Sequence, residues 1–225
     1  MDILIIVLVA LAPCAFWLWM IYLWDKCRPA QKSMMIRTFF LGMGIAIPVA
    51  IIETLLYPGS VQGNLSIAAA AYAAFIVAGV VEESGKFLGV RLGAYRSIRF
   101  DQPEDGLIYA SAVALGFAAM ENVVYILSFG LSIILARGLF SNLAHVLFAS
   151  IWGYPLVLTK LGVIKNRYLS WVGLGAAMAT HGLFDFLLFT STALVYLVIP
   201  LFIAMIILFV IMMRHANKIA TCNLE

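Results

Sequence analysis

Ionisable side chains interrupt several long apolar stretches of this sequence. They are Glu82, Glu83 and Lys86 in the third stretch, Glu121 beside Asn122 in the fourth, His145 in the fifth, and His181 with Asp185 in the sixth. A charged group at membrane depth costs at least about 2.5 to 3.5 kcal/mol on insertion scales, and it usually faces the protein interior for a functional reason. Hydrolysis of an amide needs a base that activates water, donors that stabilise an oxyanion and an acid that protonates the leaving amine. These side chains include groups suited to all three tasks.

Two pairs in this set suit a base and an oxyanion donor. A carboxylate at low dielectric beside a second carboxylate suits a general base, and Glu82 next to Glu83 has this arrangement. Lys86 lies one helical turn further on and would keep one carboxylate of the pair ionised. His181 has Asp185 four residues away on the same helix face, and a histidine oriented in this way can donate a hydrogen bond to an oxyanion. The pattern favours catalysis, with a structural ion pair of the glutamates and Lys86 as the alternative.

The other polar residues have less specific interpretations. Glu121 completes the candidate site or serves as the acid for the leaving amine. His145 and Asn122 are additional candidate members, and a single histidine such as His145 is also typical of a hydrogen-bonded packing residue. Glu53 lies near the outer end of the second stretch, where a long acidic side chain can reach the membrane surface. We therefore interpret Glu53 as structural.

Two histidines with carboxylates can also hold zinc while leaving a position for water. The candidate ligands of such a divalent metal are Glu82, Glu121, His145, His181 and Asp185. The HExxH motif is absent, so the sequence leaves the metal open without requiring it. A GxSxG segment is absent and no cysteine lies near either histidine in sequence, which gives no support to a serine or cysteine nucleophile. The widely separated cysteines predict neither a disulfide framework nor a cysteine zinc site; they are Cys14, Cys27 and Cys222.

The elements that carry these residues are transmembrane helices. Of 225 residues, 64% are hydrophobic and 11% are charged, whereas a soluble domain has about 25% charged residues. Seven apolar stretches are long enough to cross a bilayer and too long for barrel strands. They cover residues 3–24, 34–57, 65–90, 106–129, 139–159, 170–189 and 194–213. We predict an all-α, polytopic integral membrane bundle of about seven transmembrane helices, with eight as the alternative, in a single domain over 1–225.

The distribution of basic residues predicts the orientation of the bundle. The net charge is only +3, which gives no support to nucleic acid as a partner. Twelve of the 14 basic residues lie in alternate connectors and in the tail; they are Lys26, Arg28, Lys32, Arg37, Arg91, Arg96, Arg99, Lys160, Lys165, Arg167, Arg214 and Lys218. Because basic connectors stay in the cytoplasm, we predict a multi-pass protein of the cell membrane with its N-terminus outside and its C-terminus cytoplasmic. Of the other two, Arg137 falls in a connector and Lys86 within a stretch.

Small residues share helix faces with the buried polar groups. At four-residue spacing the faces read Ala74, Ala78, Glu82, Lys86; Ala110, Ala114, Ala118, Asn122; Ser141, His145, Ala149, Gly153; and Gly173, Ala177, His181, Asp185. Small residues allow helices to approach closely within a membrane. We therefore expect four helices to converge on one interior polar site. We also expect the glycine run Gly85, Gly89 and Gly93 to pack within one chain.

Three motifs occur in order, each within a predicted span. They are Glu82-Glu83-x-x-Lys86, Phe117-x-x-x-Glu121 and His181-x-x-x-Asp185. With them the sequence resembles the PrsW intramembrane proteases, which are related to the CAAX-processing and bacteriocin-processing membrane proteases. The resemblance covers about residues 65–190, the protease-like core, and includes Asn122 and the segment from Asp101 to Asp105. The CAAX relatives carry arginine and histidine or asparagine where this chain has Lys86, Glu121 and Asp185, so prenylated substrates are not carried over.

The resemblance implies a membrane-embedded endopeptidase of the glutamic or metallo type. Family members are linked to the first, extracytoplasmic-side cleavage of a single-pass anti-sigma factor during envelope stress, which leads to release of a sigma factor. The first glutamate of the pair is taken as the water activator in the CAAX relatives, which implies this role for Glu82. The implied catalytic set is Glu82, Glu83, Lys86, Glu121, His181 and Asp185. The alternatives are a proton-coupled carrier or ion pathway, because buried acids and histidines also form relays, and a non-catalytic membrane scaffold.

Overall fold

The computed structural model describes residues 2–25, 29–57, 65–190 and 193–220, and these residues form no β-strand. Seven helices in the described part are long and apolar enough to cross a membrane. They are α1 (Ile3–Tyr22), α2 (Lys32–Leu56), α3 (Ile67–Gly93), α4 (Asp105–Phe129), α5 (Ile133–Lys160), α6 (Leu169–Phe189) and α7 (Ala193–Ile219). The prediction of an all-α membrane bundle with seven spans is confirmed. Lys26, Cys27, Arg28 and Cys222 lie outside the described residues.

Two helices are longer than the hydropathy pattern predicts. α5 begins at Ile133, so it includes Arg137, which the pattern places in a connector. The prediction fails there because a charged residue ends an apolar run, whereas the Arg137 side chain is in fact buried among polar partners of the bundle. α7 continues to Ile219 and therefore carries Arg214 and Lys218. Long basic side chains at the end of a membrane helix can extend to the interface and interact favourably with the helix dipole.

α4 is the central helix of the bundle, and it packs against α1, α2 and α5. Glycines allow the close approach of its neighbours. A β-carbon built on Gly116 would lie 1.9 Å from the carbonyl oxygen of Phe39 on α2, and one built on Gly106 would lie 2.3 Å from that of Gly153 on α5. No larger residue fits at these two crossings without moving a backbone. The close packing through small residues that the sequence predicts is confirmed.

The glycine run on α3 packs against α2 of the same chain, as predicted. A β-carbon on each glycine would lie less than 3.0 Å from an α2 side chain; the pairs are Gly85 with Val49 at 2.7 Å, Gly89 with Ile45 at 2.9 Å and Gly93 with Leu41 at 2.9 Å. This contact fixes the half of α3 that carries the glutamate pair against α2.

α3 contains a π-helical stretch, Tyr72–Val80, directly before the glutamate pair. Its i→i+5 hydrogen bonds change which residues share a face, because the predicted four-residue spacing holds only for an α-helix. Ala74 is fully buried in the packing, while Ala73, Ala78 and Glu82 face a common cavity. Ala74 therefore takes part in the close packing, and its neighbour Ala73 lines the cavity instead.

The segment before α4 is closed by a side chain of that helix. The Oδ2 atom of Asp105 accepts hydrogen bonds from the backbone N–H groups of Asp101 and Gln102, both at 2.8 Å. An aspartate that binds backbone N–H groups in this way fixes the turn that enters the helix. The segment from Asp101 to Asp105 therefore fixes the position at which α4 begins.

Candidate active site

A cavity of about 1460 Å³ lies among α2 to α7. Its walls are mostly apolar. The polar side chains that line it are Glu53, Thr54, Tyr57, Glu82, Glu121, Tyr125, Arg137, Ser141, His145, His181 and Asp185. Large, mostly apolar cavities with a few convergent polar groups are the usual form of a binding or active site.

Seven of the predicted residues form one polar cluster at this cavity. The polar cluster consists of Glu82, Glu83 and Lys86 from α3, Glu121 from α4, His145 from α5, and His181 with Asp185 from α6. Five of them line the cavity, and Glu83 and Lys86 lie fully buried behind it. The predicted convergence of four helices on one interior polar site is confirmed.

Lys86 is the centre of the polar cluster. Its Nζ atom donates hydrogen bonds to Glu82 Oε2 at 2.8 Å and to Glu83 Oε1 at 2.9 Å, and lies 2.8 Å from His145 Nδ1. The ring of Phe117, the first residue of the second motif, lies 4.7 Å from the same atom. A lysine ammonium has three donors and no acceptor, so His145 Nδ1 must accept here. Lys86 therefore holds both carboxylates and the ring of His145.

Glu83 has no exposed surface and is fully occupied by donors. Besides Lys86, its Oε2 atom accepts a hydrogen bond from the indole N–H of Trp152 on α5 at 3.0 Å. Its Oε1 atom lies 3.0 Å from Nδ1 of His181 on α6. A buried carboxylate with this many hydrogen bonds orients its partners rather than reacting with a ligand in the cavity. Glu82 is the member of the pair that lines the cavity.

Each histidine has one ring nitrogen on a carboxylate and the other directed towards Glu82. His145 Nε2 lies 2.7 Å from Glu121 Oε2, and His181 Nδ1 lies 3.0 Å from Glu83 Oε1. The opposite nitrogens, His145 Nδ1 and His181 Nε2, lie 3.8 Å and 3.9 Å from Glu82 Oε2. Because Nδ1 of His145 accepts from Lys86, the proton of a neutral ring is on Nε2, where it is donated to Glu121.

The residue that orients His181 differs from the one that the motif suggests. Asp185 Oδ2 lies 3.4 Å from Nε2 of His181, a longer contact than the 3.0 Å between Glu83 and Nδ1. Four-residue spacing does place Asp185 on the same face, but Glu83 reaches the ring from the neighbouring helix. The ring also stacks on Phe148, with centroids 4.5 Å apart. Glu83 and Phe148 therefore orient the ring of His181, and Asp185 lies beside its Nε2 atom.

Arg137 is a cavity residue that the sequence pattern missed. Its side chain lies 3.4 Å from Glu121 Oε2, and its guanidinium carbon lies 3.8 Å from the centre of the Tyr125 ring. Its spacing from His145 gives no signal, because Arg137–Ser141 is a π-helical stretch in which the spacing rule of an α-helix does not hold. The hydropathy pattern places Arg137 in a connector because it counts the charge of the side chain but cannot show that the side chain has buried polar partners.

Asn122 binds Arg137 and lies away from the cavity. Its Oδ1 atom accepts a hydrogen bond from Arg137 Nε at 2.9 Å. Its Nδ2 group donates to Asn142 Oδ1 at 3.1 Å and to the carbonyl oxygen of Ala10 at 3.2 Å. Asn122 therefore connects α1, α4 and α5, and contacts the polar cluster through Arg137.

A membrane bundle that buries acids and histidines beside a large cavity is the architecture of an enzyme that acts within the membrane. Residues 30–213 match the family model described as PrsW family intramembrane metalloprotease, and the chain belongs to this family. It is 33% identical to a Protease PrsW of Geobacillus kaustophilus over 74% of this chain and 72% of that protein. It is 29% identical to a Protease PrsW of Bacillus subtilis over 90% of both chains. No solved structure matches.

The polar cluster fits the divalent metal that the family description implies. Donor atoms of Glu82, His145 and His181 all lie within 4.8 Å of one another. The separations of 3.8 Å and 3.9 Å from Glu82 Oε2 approach the roughly 3.4 Å edge expected of a tetrahedron with zinc–nitrogen bonds of about 2.1 Å. Glu121 and Glu83 hold the distal nitrogens of the two rings, as carboxylates do behind zinc-binding histidines.

Replacement of Arg137 by methionine is expected to lower kcat about tenfold, since Glu121 loses its cationic partner and Asn122 loses its donor. Arg137→Lys is expected to restore part of the loss. Cleavage of a membrane substrate in proteoliposomes measures kcat, and thermal unfolding in detergent measures stability separately. Arg96→Met, at an exposed position, is the matched control. A variant that unfolds at a lower temperature but keeps the parental kcat would contradict the assigned role.

Proposed function

We propose that the protein is an intramembrane endopeptidase that makes a site-1-type cut in a single-pass membrane protein, with an anti-sigma factor as the substrate class. The observation that carries this proposal is the position of Glu82. Glu82 lines the cavity, and its Oε2 atom lies within 4 Å of a nitrogen of both His145 and His181. From the dimensions of an α-helix, about 1460 Å³ accommodates roughly nine to twelve residues. That volume is suited to part of a membrane-spanning segment.

In the proposed reaction, Glu82 acts as the general base. It takes a proton from water as the water oxygen attacks the carbonyl carbon of the scissile peptide bond. Glu82 then returns the proton to the amide nitrogen as the carbon–nitrogen bond breaks. Lys86 and Glu83 hold Glu82 and His181 in place through the hydrogen bonds described above.

His181 and Asp185 stabilise the oxyanion in this proposal. Nδ1 of His181 donates to Glu83, so Nε2 can donate to an oxygen bound in the cavity only when the ring carries both protons. Asp185, 3.4 Å away, favours a proton on that nitrogen. Glu121 holds the ring of His145 at 2.7 Å, and so keeps its Nδ1 atom near Glu82. The proposal gives the proton of the leaving amine to Glu82 rather than Glu121, because Glu82 already holds the proton taken from water, while Glu121 is bound by His145 and Arg137.

A bound zinc ion would be held by Glu82 Oε2, His145 Nδ1 and His181 Nε2. Zinc supplies a more acidic bound water and polarises the substrate carbonyl. The two mechanisms require different states of His181: Nε2 offers a lone pair to a metal but donates its proton to an oxyanion. Lys86 already contacts two of the three donor atoms, so an ion must displace its ammonium group.

The same proposal places the N-terminus outside the cell membrane and the C-terminus in the cytoplasm, with one membrane domain over 1–225 and a protease core at about 65–190. Two contacts join ends that the proposal assigns to the same side. Lys160, at the end of α5, donates to the carbonyl oxygen of Ser97 beyond α3 at 2.8 Å. Asn217, near the end of α7, donates to that of Trp24 beyond α1 at 3.4 Å. The assignment of this side to the cytoplasm rests on the basic residues alone.

Co-expression with a tagged single-pass anti-sigma factor from the same genome tests the function. We expect the parent protein, but not Glu82→Gln, to yield two fragments on a gel, and mass spectrometry then locates the scissile bond relative to the membrane. An uncut substrate with folded parent protein would contradict the assigned substrate class. Failure to cut a wider panel of single-pass proteins, with pH-driven flux in liposomes, would contradict proteolysis and favour the ion-pathway alternative.

A further inference from the structure

Glu53 lies on the wall of the cavity, three residues before α2 ends at Leu56. Its place in the apolar stretch predicts a structural side chain that reaches the membrane surface, but the half-buried residue lines the same space as the polar cluster. The remaining α2 residues in this wall are apolar except for Thr54, and Tyr57, which directly follows the helix, also lines it. Glu53 therefore presents an acid to the cavity from a helix that contributes nothing to the polar cluster.

Among the described residues, the carboxyl group of Glu53 has no fixed partner. It accepts no hydrogen bond and forms no ion pair within that part of the chain, whereas every carboxylate of the polar cluster contacts a lysine, histidine or arginine. Glu53, Glu82 and Glu121 line the same cavity. The hydroxyl of Thr54, the next residue, donates a hydrogen bond to the carbonyl oxygen of Ala50 at 2.8 Å. The carboxyl oxygens of Glu53 can therefore accept hydrogen bonds from a group that enters the cavity.

A substrate segment brings the matching donors. A peptide bond in an α-helix has its carbonyl oxygen hydrogen-bonded within the helix, so the segment must unwind locally before water can attack it. Unwinding at membrane depth frees backbone N–H groups, and each of them needs an acceptor because water is scarce there. Glu82 Oε2 is bound by Lys86, and Glu121 Oε2 is bound by His145 and Arg137. In the part of the chain that the structure describes, each of these carboxylates therefore has one oxygen left to accept, whereas Glu53 has both.

We infer that Glu53 is a substrate-binding residue whose carboxyl oxygens accept hydrogen bonds from backbone N–H groups of the unwound substrate segment. This inference rests on the proposed endopeptidase function and adds the residue that holds the chain beside the reacting bond. A glutamine at position 53 should preserve substrate binding, because its amide keeps an acceptor oxygen of similar reach. A leucine should not preserve it, because leucine has similar bulk but no acceptor.

Substrate binding is measured apart from cleavage. In a Glu82→Gln background, a tagged single-pass anti-sigma factor with a photo-cross-linker in its membrane segment is co-reconstituted with protein that keeps Glu53 or carries E53Q or E53L. We expect E53L to reduce cross-linking about tenfold, the upper end of the usual range for a hydrogen bond, and E53Q to remain within about threefold. Thr180→Val, whose hydroxyl bonds within its own helix and which does not line the cavity, is the control and should cross-link normally.

Kinetics in the active background separate binding from proton transfer. A binding role predicts that E53L raises KM about tenfold with little change in kcat. The inference is overturned if E53L binds and cleaves like the parent, if no cross-linking occurs with Glu53 intact, or if E53Q loses kcat as strongly as E53L, which would indicate a proton donor. Cross-linking that depends on Glu53 in a protein that never cleaves would refute the proposed function and leave this inference standing.

Discussion

Glu82→Gln is expected to lower kcat at least about a thousandfold while the bundle remains folded. General base catalysis by a positioned side chain contributes about 10²- to 10⁴-fold, and the amide cannot take a proton from water. The fold should persist because the amide oxygen can still accept the hydrogen bond from Lys86, and because Glu82 borders the cavity. Cleavage in proteoliposomes and thermal unfolding in detergent measure the two properties.

Glu83→Gln provides the contrast that separates catalysis from packing. Glu83 is fully buried and accepts hydrogen bonds from Lys86, Trp152 and His181. In Glu83→Gln an amide NH2 group replaces one of the two oxygens. Because this group cannot accept, one or two of these hydrogen bonds are lost. We expect Glu83→Gln to unfold at a clearly lower temperature than the parent, whereas Glu82→Gln unfolds near the parental temperature. A Glu82→Gln protein that cleaves within tenfold of the parental rate would remove Glu82 from the role of base.

Hydropathy and residue spacing were sufficient to predict the polar cluster. A charged group in a long apolar stretch has few stable positions except the interior of the bundle, so the motifs on α3, α4 and α6 had to face inwards. His145 has no motif of its own, yet a lone histidine in an apolar helix obeys the same rule. Seven spans and one site therefore followed from the sequence.

Contacts between distant residues could not be predicted in the same way. Trp152 binds Glu83 across 69 positions, and Glu83 rather than Asp185 makes the shorter contact with His181. Both depend on how helices rotate about their axes, which the π-helical stretch of α3 alters by its i→i+5 bonds. The position of Glu53 on the cavity wall could not be predicted either, since distance from the end of an apolar stretch does not show which face of α2 lines a cavity.

Lys86→Met is expected to destabilise the protein by about 3 to 5 kcal/mol, since it leaves buried carboxylates without their cation. Lys86 is fully buried and donates to both Glu82 and Glu83. Thermal unfolding in detergent, after removal of divalent ions with a chelator, measures the loss. Lys165→Met, at an exposed position, should unfold near the parental temperature.

Zinc then tests whether the ammonium group and a metal ion use the same donor atoms. In the parent, Lys86 contacts Glu82 Oε2 and His145 Nδ1, so an ion must displace it, whereas these atoms are free in Lys86→Met. We therefore expect zinc to raise the unfolding temperature of Lys86→Met more than that of the parent, with an affinity at least about tenfold higher. A second change, His145→Ala, should remove this gain because it deletes one of three ligands. An equal response of parent and Lys86→Met to zinc would show that the ion binds elsewhere, and would favour the glutamic mechanism at Glu82.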